Sequence, residues 1–300
     1  MTDRTSNEPT RLAGVWWILA ASASFALMGA LVKAARPTLS ITQIIFWRCV
    51  VVAVVSHGLI RRSGATLRPG HPGRMFVRCA GGLTAMFCFF YTIGRLPLGT
   101  ATTLQYTSPV FTVLLAGPLL GERPGRRGIG LVALAFVGVL LILRPSLSVG
   151  ALPLSTGLLG GLLAGLVYVV VRQLRATDPP SRIVWWFAIS GAVLTLPVAL
   201  AQGLPADLRE WLIVAGVGLT ATGGQVGMTQ AYRVERASVV GPFSYATVVL
   251  STLAGMVAFD ETIEPSALVG TALFVTAGAL LARSAAAQAP RAPTAQASNA

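Results

Sequence analysis

Charge is what this chain has least of. Only 11% of its 300 residues are charged, 54% are hydrophobic and the mean hydropathy is +0.72. A soluble domain carries about 25% charged residues, so there are too few polar side chains here to cover a water-facing surface. Acidic residues number ten against 23 basic ones, a net charge of +13. The basic residues fall in short clusters between apolar runs and form no single patch, which argues against nucleic acid as a partner. Cysteine is scarce too. Cys49, Cys79 and Cys88 lie in or beside apolar runs with no C-x-x-C pair, and read as small packing residues rather than ligands or disulfide partners. The two histidines, His57 and His71, share one loop region with no carboxylate nearby. G-x-S-x-G, H-E-x-x-H and G-x-x-x-x-G-K-[ST] are all missing, which disfavours an integral-membrane enzyme and ATP-driven pumping by this chain. No cofactor and no metal are expected.

What the chain does have is apolar length. A helix needs roughly 20 apolar residues to cross a bilayer, and ten runs of about that size follow one another: 12–33, 41–60, 75–94, 97–120, 128–144, 154–174, 183–203, 211–232, 237–259 and 266–283. The runs at 97–120 and 237–259 carry internal breaks. The first run is too long, and too regularly followed by others, for a cleaved signal peptide. Segments 1–11 and 284–300 are polar or rich in Ala and Pro, and are expected to be disordered cytoplasmic tails. No Asp or Glu falls in the middle third of a run. With no carboxylate placed for a proton relay, facilitated exchange or export is favoured.

Positive charge near span ends marks the cytoplasmic side. With the N-terminus inside, the inner segments hold 17 Arg, the outer loops hold Lys33, Arg36, Arg95, Arg144 and Arg209, and Arg48 lies within a span. Both termini are therefore expected in the cytoplasm of a bacterial inner-membrane protein, with the basic loops as topology determinants. Trp16, Trp17, Trp185 and Trp186 read as interfacial anchors.

The two halves also resemble each other. QYTSPVFTVLLAGPLLGE carries Tyr106 and Glu122, and SYATVVLSTLAGMVAFDE carries Tyr245 and Glu261, each pair offset by 139 residues. A glycine-bearing span follows each, with Gly138 and Gly278 offset by 140. The first and sixth spans both end in a basic turn, ALVKAARP and VVVRQLRATDPP. A unit of five spans, an odd number, must insert upside down when duplicated. The expected fold is an all-α polytopic membrane protein of ten transmembrane helices in two inverted five-helix repeats, 12–147 and 148–283.

RLPLGTATTLQYTSPVFTVLLAGPLLGERP with GIGLVALAFVGVLLI, its fainter copy RASVVGPFSYATVVLSTLAGMVAFDETI with ALVGTALFVTAGALL, and FWR at Phe46–Arg48 resemble the EamA-type family of the drug/metabolite transporter superfamily over roughly 12–283. The resemblance implies two inverted five-helix repeats, cytoplasmic termini and alternating-access transport of metabolites such as amino acids. The start, SFALMGALVKAA and ITQIIFWR, is also similar to permeases assigned to S-adenosylmethionine. The second half departs from the pattern in having DE for GE and no proline matching Pro109.

Polar groups within spans are costly and often functional. Arg48 suits a substrate carboxylate or phosphate gripped in a bidentate fork; the alternative is a side chain that snorkels or bonds a neighbouring helix. Gln105, Tyr106 and Ser108 precede Pro109 in the fourth span, and Gly241 and Pro242 precede Ser244 and Tyr245 in the ninth. Paired helix breaks in corresponding spans point to a transporter's binding site; the alternative is interhelical bonding that holds the bundle. Tyr91, Tyr168, Gln225, Thr229, Gln230 and Phe25 are further candidates. Gly161-x-x-x-Gly165 and Gly223-x-x-x-Gly227 read as close-packing devices, through which a homodimer is also conceivable. Glu122 and Glu261, at span ends, are expected to bond loop or helix-terminal groups. The leading function is a secondary transporter of a small molecule in the lipid bilayer, with a channel or a non-transporting scaffold as the alternatives.

Overall fold

A computed structural model describes residues 8–120, 126–143, 150–235, 240–262 and 264–288. Their regular structure is helical throughout: α1 (Glu8–Ala35), α2 (Ile41–Ser63), α3 (Pro72–Ile93), α4 (Leu98–Gln105), α5 (Ser108–Leu120), α6 (Arg126–Leu143), α7 (Ala151–Leu174), α8 (Pro180–Ala201), α9 (Leu208–Val234), a 3₁₀ turn (Gly241–Tyr245), α10 (Ala246–Phe259) and α11 (Pro265–Gln288). Helices α1 and α11 extend four or more residues beyond the apolar runs that announce them. Glu122 and the arginines at 4, 123, 144, 236 and 291 lie outside the described residues.

Local chemistry sets the ends. Ser40 and Gln43 form a reciprocal capping box at the start of α2, and Gly64 closes that helix with φ +65°, a conformation that costs glycine nothing. Asp207 caps α9 by accepting from the Glu210 amide at 2.8 Å. Pro72 and Pro180 stand in the first turns of α3 and α8, where a missing N–H is harmless.

Among the described residues, seven segments are long and apolar enough to cross a membrane: 13–35, 41–63, 72–93, 151–174, 180–201, 208–234 and 241–259. Gly128–Ile142 and Pro265–Leu281 are shorter apolar helices. The outer surface is apolar as well, with Val257, Trp16, Val54 and Leu140 all at least 66% exposed. Water would not tolerate so large an apolar surface; lipid does. The chain is a multi-span membrane protein.

The main helix pairings are α1 with α9, α3 with α7, α2 with α8, and α6 with α11; α4 and α5 pack on α7, and α10 packs on α1 and α4. Glycine sets several of these distances. A Cβ on Gly138 would stand 2.8 Å from the Gly270 carbonyl, and one on Gly227 would stand 3.2 Å from the Trp17 carbonyl. On α7, Gly157, Gly161 and Gly165 all face α4 and α5, so the Gly161/Gly165 pair is a seat for the broken span.

The α2–α3 loop is tied to the α7–α8 turn. Asp178 accepts from the Gly70 amide (3.0 Å), the Thr177 hydroxyl (2.8 Å) and Arg182 Nη1 (3.0 Å), while Arg182 Nε donates to the Thr66 carbonyl at 2.6 Å. Arg182 is therefore a buried structural cation as well as one of the basic residues counted toward topology.

Candidate functional site

The fourth span is broken where its sequence turns polar. Helix α4 is buried at every position from Leu98 to Leu104 and ends at Gln105, and α5 begins at Ser108. Pro109 is the second residue of α5, and its missing N–H leaves the Gln105 carbonyl without its ladder donor. Backbone bonds from Tyr106 to Thr102 (2.9 Å) and from Thr107 to Leu104 (3.2 Å) tighten the break. In the other half, Gly241–Tyr245 winds as a 3₁₀ turn before α10. Each break thus sets a tyrosine at the end of a half-helix.

These two tyrosines meet. The Tyr106 and Tyr245 ring centroids are 6.0 Å apart, and Tyr245 also lies edge-on to Phe274 at 5.6 Å. The Tyr106 hydroxyl donates to Thr247 Oγ1 at 2.7 Å. Tyr245 is buried at 2% exposure, and its hydroxyl has no partner among the described residues. It fits because α11 has glycine at 278, where any Cβ would overlap the phenol ring. Tyr168 and Tyr232 lie within electrostatic reach of both rings, Tyr168 on an exposed position of α7.

The other candidates divide. Ser108 sits beside Tyr168. The Gln105 Oε1 atom is buried without a partner and faces Gly160 of α7. Ser244 bonds back to the Gly241 carbonyl at 2.7 Å, and its own carbonyl accepts from Ser22 of α1 at 3.4 Å. Gln225, Thr229 and Gln230 lie on α9, where Thr229 bonds the Gln225 carbonyl at 2.7 Å, and Phe25 fills the space above Gly224. Tyr91 is not part of the tyrosine group: at the end of α3 it lies under Arg95, at 5.7 Å. Arg48 makes its contacts with other side chains. It is buried at 7% exposure, donates to Met86 Sδ at 3.1 Å, and stands 6.0 Å from the Phe187 ring. An open apolar depression of about 510 Å³ between α1 and α9, bounded by Leu31, Leu208 and Leu212, is a surface feature remote in chemistry from this site.

Sequence reasoning missed Tyr232, Thr247, Phe274 and Arg78. Arg78 follows Arg74 by one helical turn, and that spacing on a helix starting at Pro72 was the available signal. Glu261, by contrast, does bond a helix terminus. Its carboxylate accepts from the Leu98 amide, the first of α4, at 2.8 Å, and also pairs with Lys33 of α1. Asp260, at φ +51°, turns the chain so that the Glu261 amide reaches the Gly255 carbonyl at 3.2 Å, which aims the carboxylate inward.

The arrangement has a counterpart among known proteins. The model of the EamA-like transporter family matches residues 12–144 and again 152–283. The chain belongs to the EamA-like transporter family. It is similar to the pseudopaline exporter CntI of Pseudomonas aeruginosa, 32% identical over 274 residues that cover 90% of this chain and 96% of the exporter. An uncharacterized transporter of Helicobacter pylori is 29% identical (91% and 95% covered), and a riboflavin transporter of Rhizobium johnstonii is 28% identical (92% and 93% covered). A solved crystal structure with 22% sequence identity matches with a TM-score of 0.63 over 94% of this chain and 100% of its own, which shows the fold alone. This EamA-like chain is a transporter of small molecules and not an enzyme.

Proposed function

We propose that the chain is a secondary carrier of the inner membrane that moves a small metabolite, such as an amino acid or a related compound, by alternating access, with export or exchange as its direction. It is built from ten spans in two inverted repeats, 12–147 and 148–283, with both termini cytoplasmic, and its substrate site is the tyrosine group at the paired breaks. The observation that carries this reading is the meeting of Tyr106 and Tyr245, 139 residues apart in matching sequence contexts, at 6.0 Å. The packing supports the duplication. Exchanging α1 with α7, α2 with α8, α3 with α9, α4/α5 with the 3₁₀ turn and α10, and α6 with α11 converts the α1–α9 pairing into α7–α3, and returns α2–α8 and α6–α11 to themselves. The two family matches support it too. Relatives named for export of pseudopaline and for transport of riboflavin favour an organic solute, and the first of them favours export.

With the N-terminus inside, the Lys33–Glu261 pair lies at the outer end of the bundle, where it ties α1 to the tip of α10 and the start of α4. At the 139-residue offset its counterparts are Arg172 and Glu122. In a carrier cycle this latch releases when the site opens outward and re-forms when it opens inward.

Counterflow into vesicles carrying the purified protein tests the carrier, after metabolite profiling of overproducing cells supplies the solute. Saturable counterflow, lost in Tyr106→Ala and Tyr245→Ala at unchanged membrane abundance, is the expected result. Non-saturable flux would mean a channel, and equal loss of transport and abundance would make the tyrosines structural.

A further inference from the structure

A buried guanidinium, that of Arg48, and a partly buried one, that of Arg78, share one aromatic ring. The Arg78 guanidinium carbon lies 4.3 Å from the Phe187 centroid and that of Arg48 lies 6.0 Å from it. They come from neighbouring helices, α2 and α3, and Phe187 comes from α8. Room for Arg78 is made by Gly82, one turn along α3, where a Cβ would collide with the Arg78 Nη1 atom and stand 3.0 Å from the Phe187 ring. Neither arginine forms an ion pair among the described residues, unlike Lys33, which pairs with Glu261, and Arg182, which pairs with Asp178. The Nε atoms of both are buried without an acceptor. Among the described residues the Arg48 guanidinium meets sulfur, the Met86 thioether at 3.1 Å and the adjacent Cys49 thiol, both weak partners.

This arrangement is costly as it stands. An arginine at the centre of a span costs about 2.5–3.5 kcal/mol on insertion scales, and Arg48 and Arg78, about a third of the way along α2 and α3, carry part of that cost; arginine does not shed its proton in a protein, and two like charges near one ring repel each other. A ring face offsets part of this through cation–π attraction, about 0.5–2 kcal/mol each. Helices that only needed packing here would be better served by leucine. An anion would remove the repulsion and occupy the free donors, because a guanidinium fork matches carboxylate and phosphate geometry. Tyr168 connects this place with the tyrosine group: it lies within electrostatic reach of Arg78 and beside Ser108.

We infer that Arg48 and Arg78, set around Phe187, form an anion subsite that holds a carboxylate or phosphate group of the transported solute, so that the substrate is an organic anion. The inference rests on the carrier reading and names its substrate class.

The test uses the purified full chain in detergent, with citrate, glutamate and inorganic phosphate as probes and glucose as the uncharged control. A saturable rise in melting midpoint is expected with at least one anion and none with glucose, citrate separating carboxylate from phosphate recognition. Arg48→Gln and Arg78→Gln should each weaken the half-saturating concentration at least tenfold. Arg48→Lys and Arg78→Lys keep the charge and lose the fork, and serve where a glutamine variant fails to fold; they too should bind at least tenfold more weakly. No shift with any of the three anions, or a shift undiminished in the lysine variants, overturns the subsite. Failure of the carrier reading looks different: anions bind in an arginine-dependent way, yet the vesicles show no counterflow of any of them.

Discussion

Tyr245 carries an unusual combination: a fully enclosed phenol with nothing for its hydroxyl to bond. A buried polar group left unpaired costs about 1–3 kcal/mol, so removing the oxygen should not weaken the protein. On the proposal that this hydroxyl serves the solute, Tyr245→Phe is expected to melt at or above the wild-type temperature while losing transport. A fall in both would assign it to the fold. Gly278→Ala acts on the same ring from outside. Its methyl overlaps the phenol, and overpacking of this kind costs about 1–3 kcal/mol, readable as a lower melting temperature with reduced transport. Asp178 makes a residue-level prediction about pH. Burial raises its pKa, but the Gly70 amide, the Thr177 hydroxyl and Arg182 more than offset this, so it ionises below the ordinary value of 3.8. The stability it contributes is complete above about pH 3.8 and is lost as the pH falls through its lowered pKa in the folded protein. Melting curves of wild type should therefore drop more steeply with acidification below that point than those of Asp178→Asn. Neither Tyr245's enclosure nor Asp178's partners were legible in the sequence, since Gly278 lies 33 residues from Tyr245 and Gly70 lies 108 from Asp178.

At the scale of elements, the sequence marks its own breaks. Pro109 and the Gly241–Pro242 pair announce interruptions, and the structure puts them at the junction of α4 with α5 and in the 3₁₀ turn ahead of α10. The exact form was not legible. In the fourth span the chain leaves the helix at Tyr106 and Thr107, ahead of the proline, because Pro109 is tolerated inside the first turn of α5 and its cost falls on the turn before. What holds the break is α7. A Cβ on Gly161 would collide with the Thr107 hydroxyl and stand 2.5 Å from the Leu104 carbonyl. Gly161→Ala is expected to push α7 off the break and lower membrane abundance several-fold, whereas Gly130→Ala, on a face of α6 with open space, should leave abundance unchanged. Quantitative blotting of membranes separates the two.

At the scale of the molecule, the Lys33–Glu261 latch joins parts of the chain 228 residues apart. If it seals the outer side, Glu261→Gln should leave Lys33 with the Leu96 carbonyl and the Phe259 ring but no carboxylate, and bias the carrier open to the outside. The readout is faster labelling of a cysteine placed at Thr247 by an impermeant thiol reagent added to right-side-out vesicles, in a background with the native cysteines replaced. Unchanged labelling would make the pair a static brace. The sequence by itself determined that the chain lives in a bilayer and that its regular structure is helical, because apolar run length and scarcity of charge are properties of the chain alone, and lipid leaves backbone polar groups no partner outside the segment. It carried as well a likeness between two stretches of the chain, since a repeat is a pattern in sequence, and the family model matches each of them, 12–144 and 152–283. Only the tertiary structure decided which polar residues meet. It brought Tyr106 to Tyr245, Lys33 to Glu261, and Arg78 to the ring that Arg48 also faces, and it left Tyr91 with Arg95. The reason is geometric: a helix repeat of 3.6 residues says which residues share a face, whereas the face turned to a given neighbour follows from glycine contacts and helix breaks contributed by other parts of the chain.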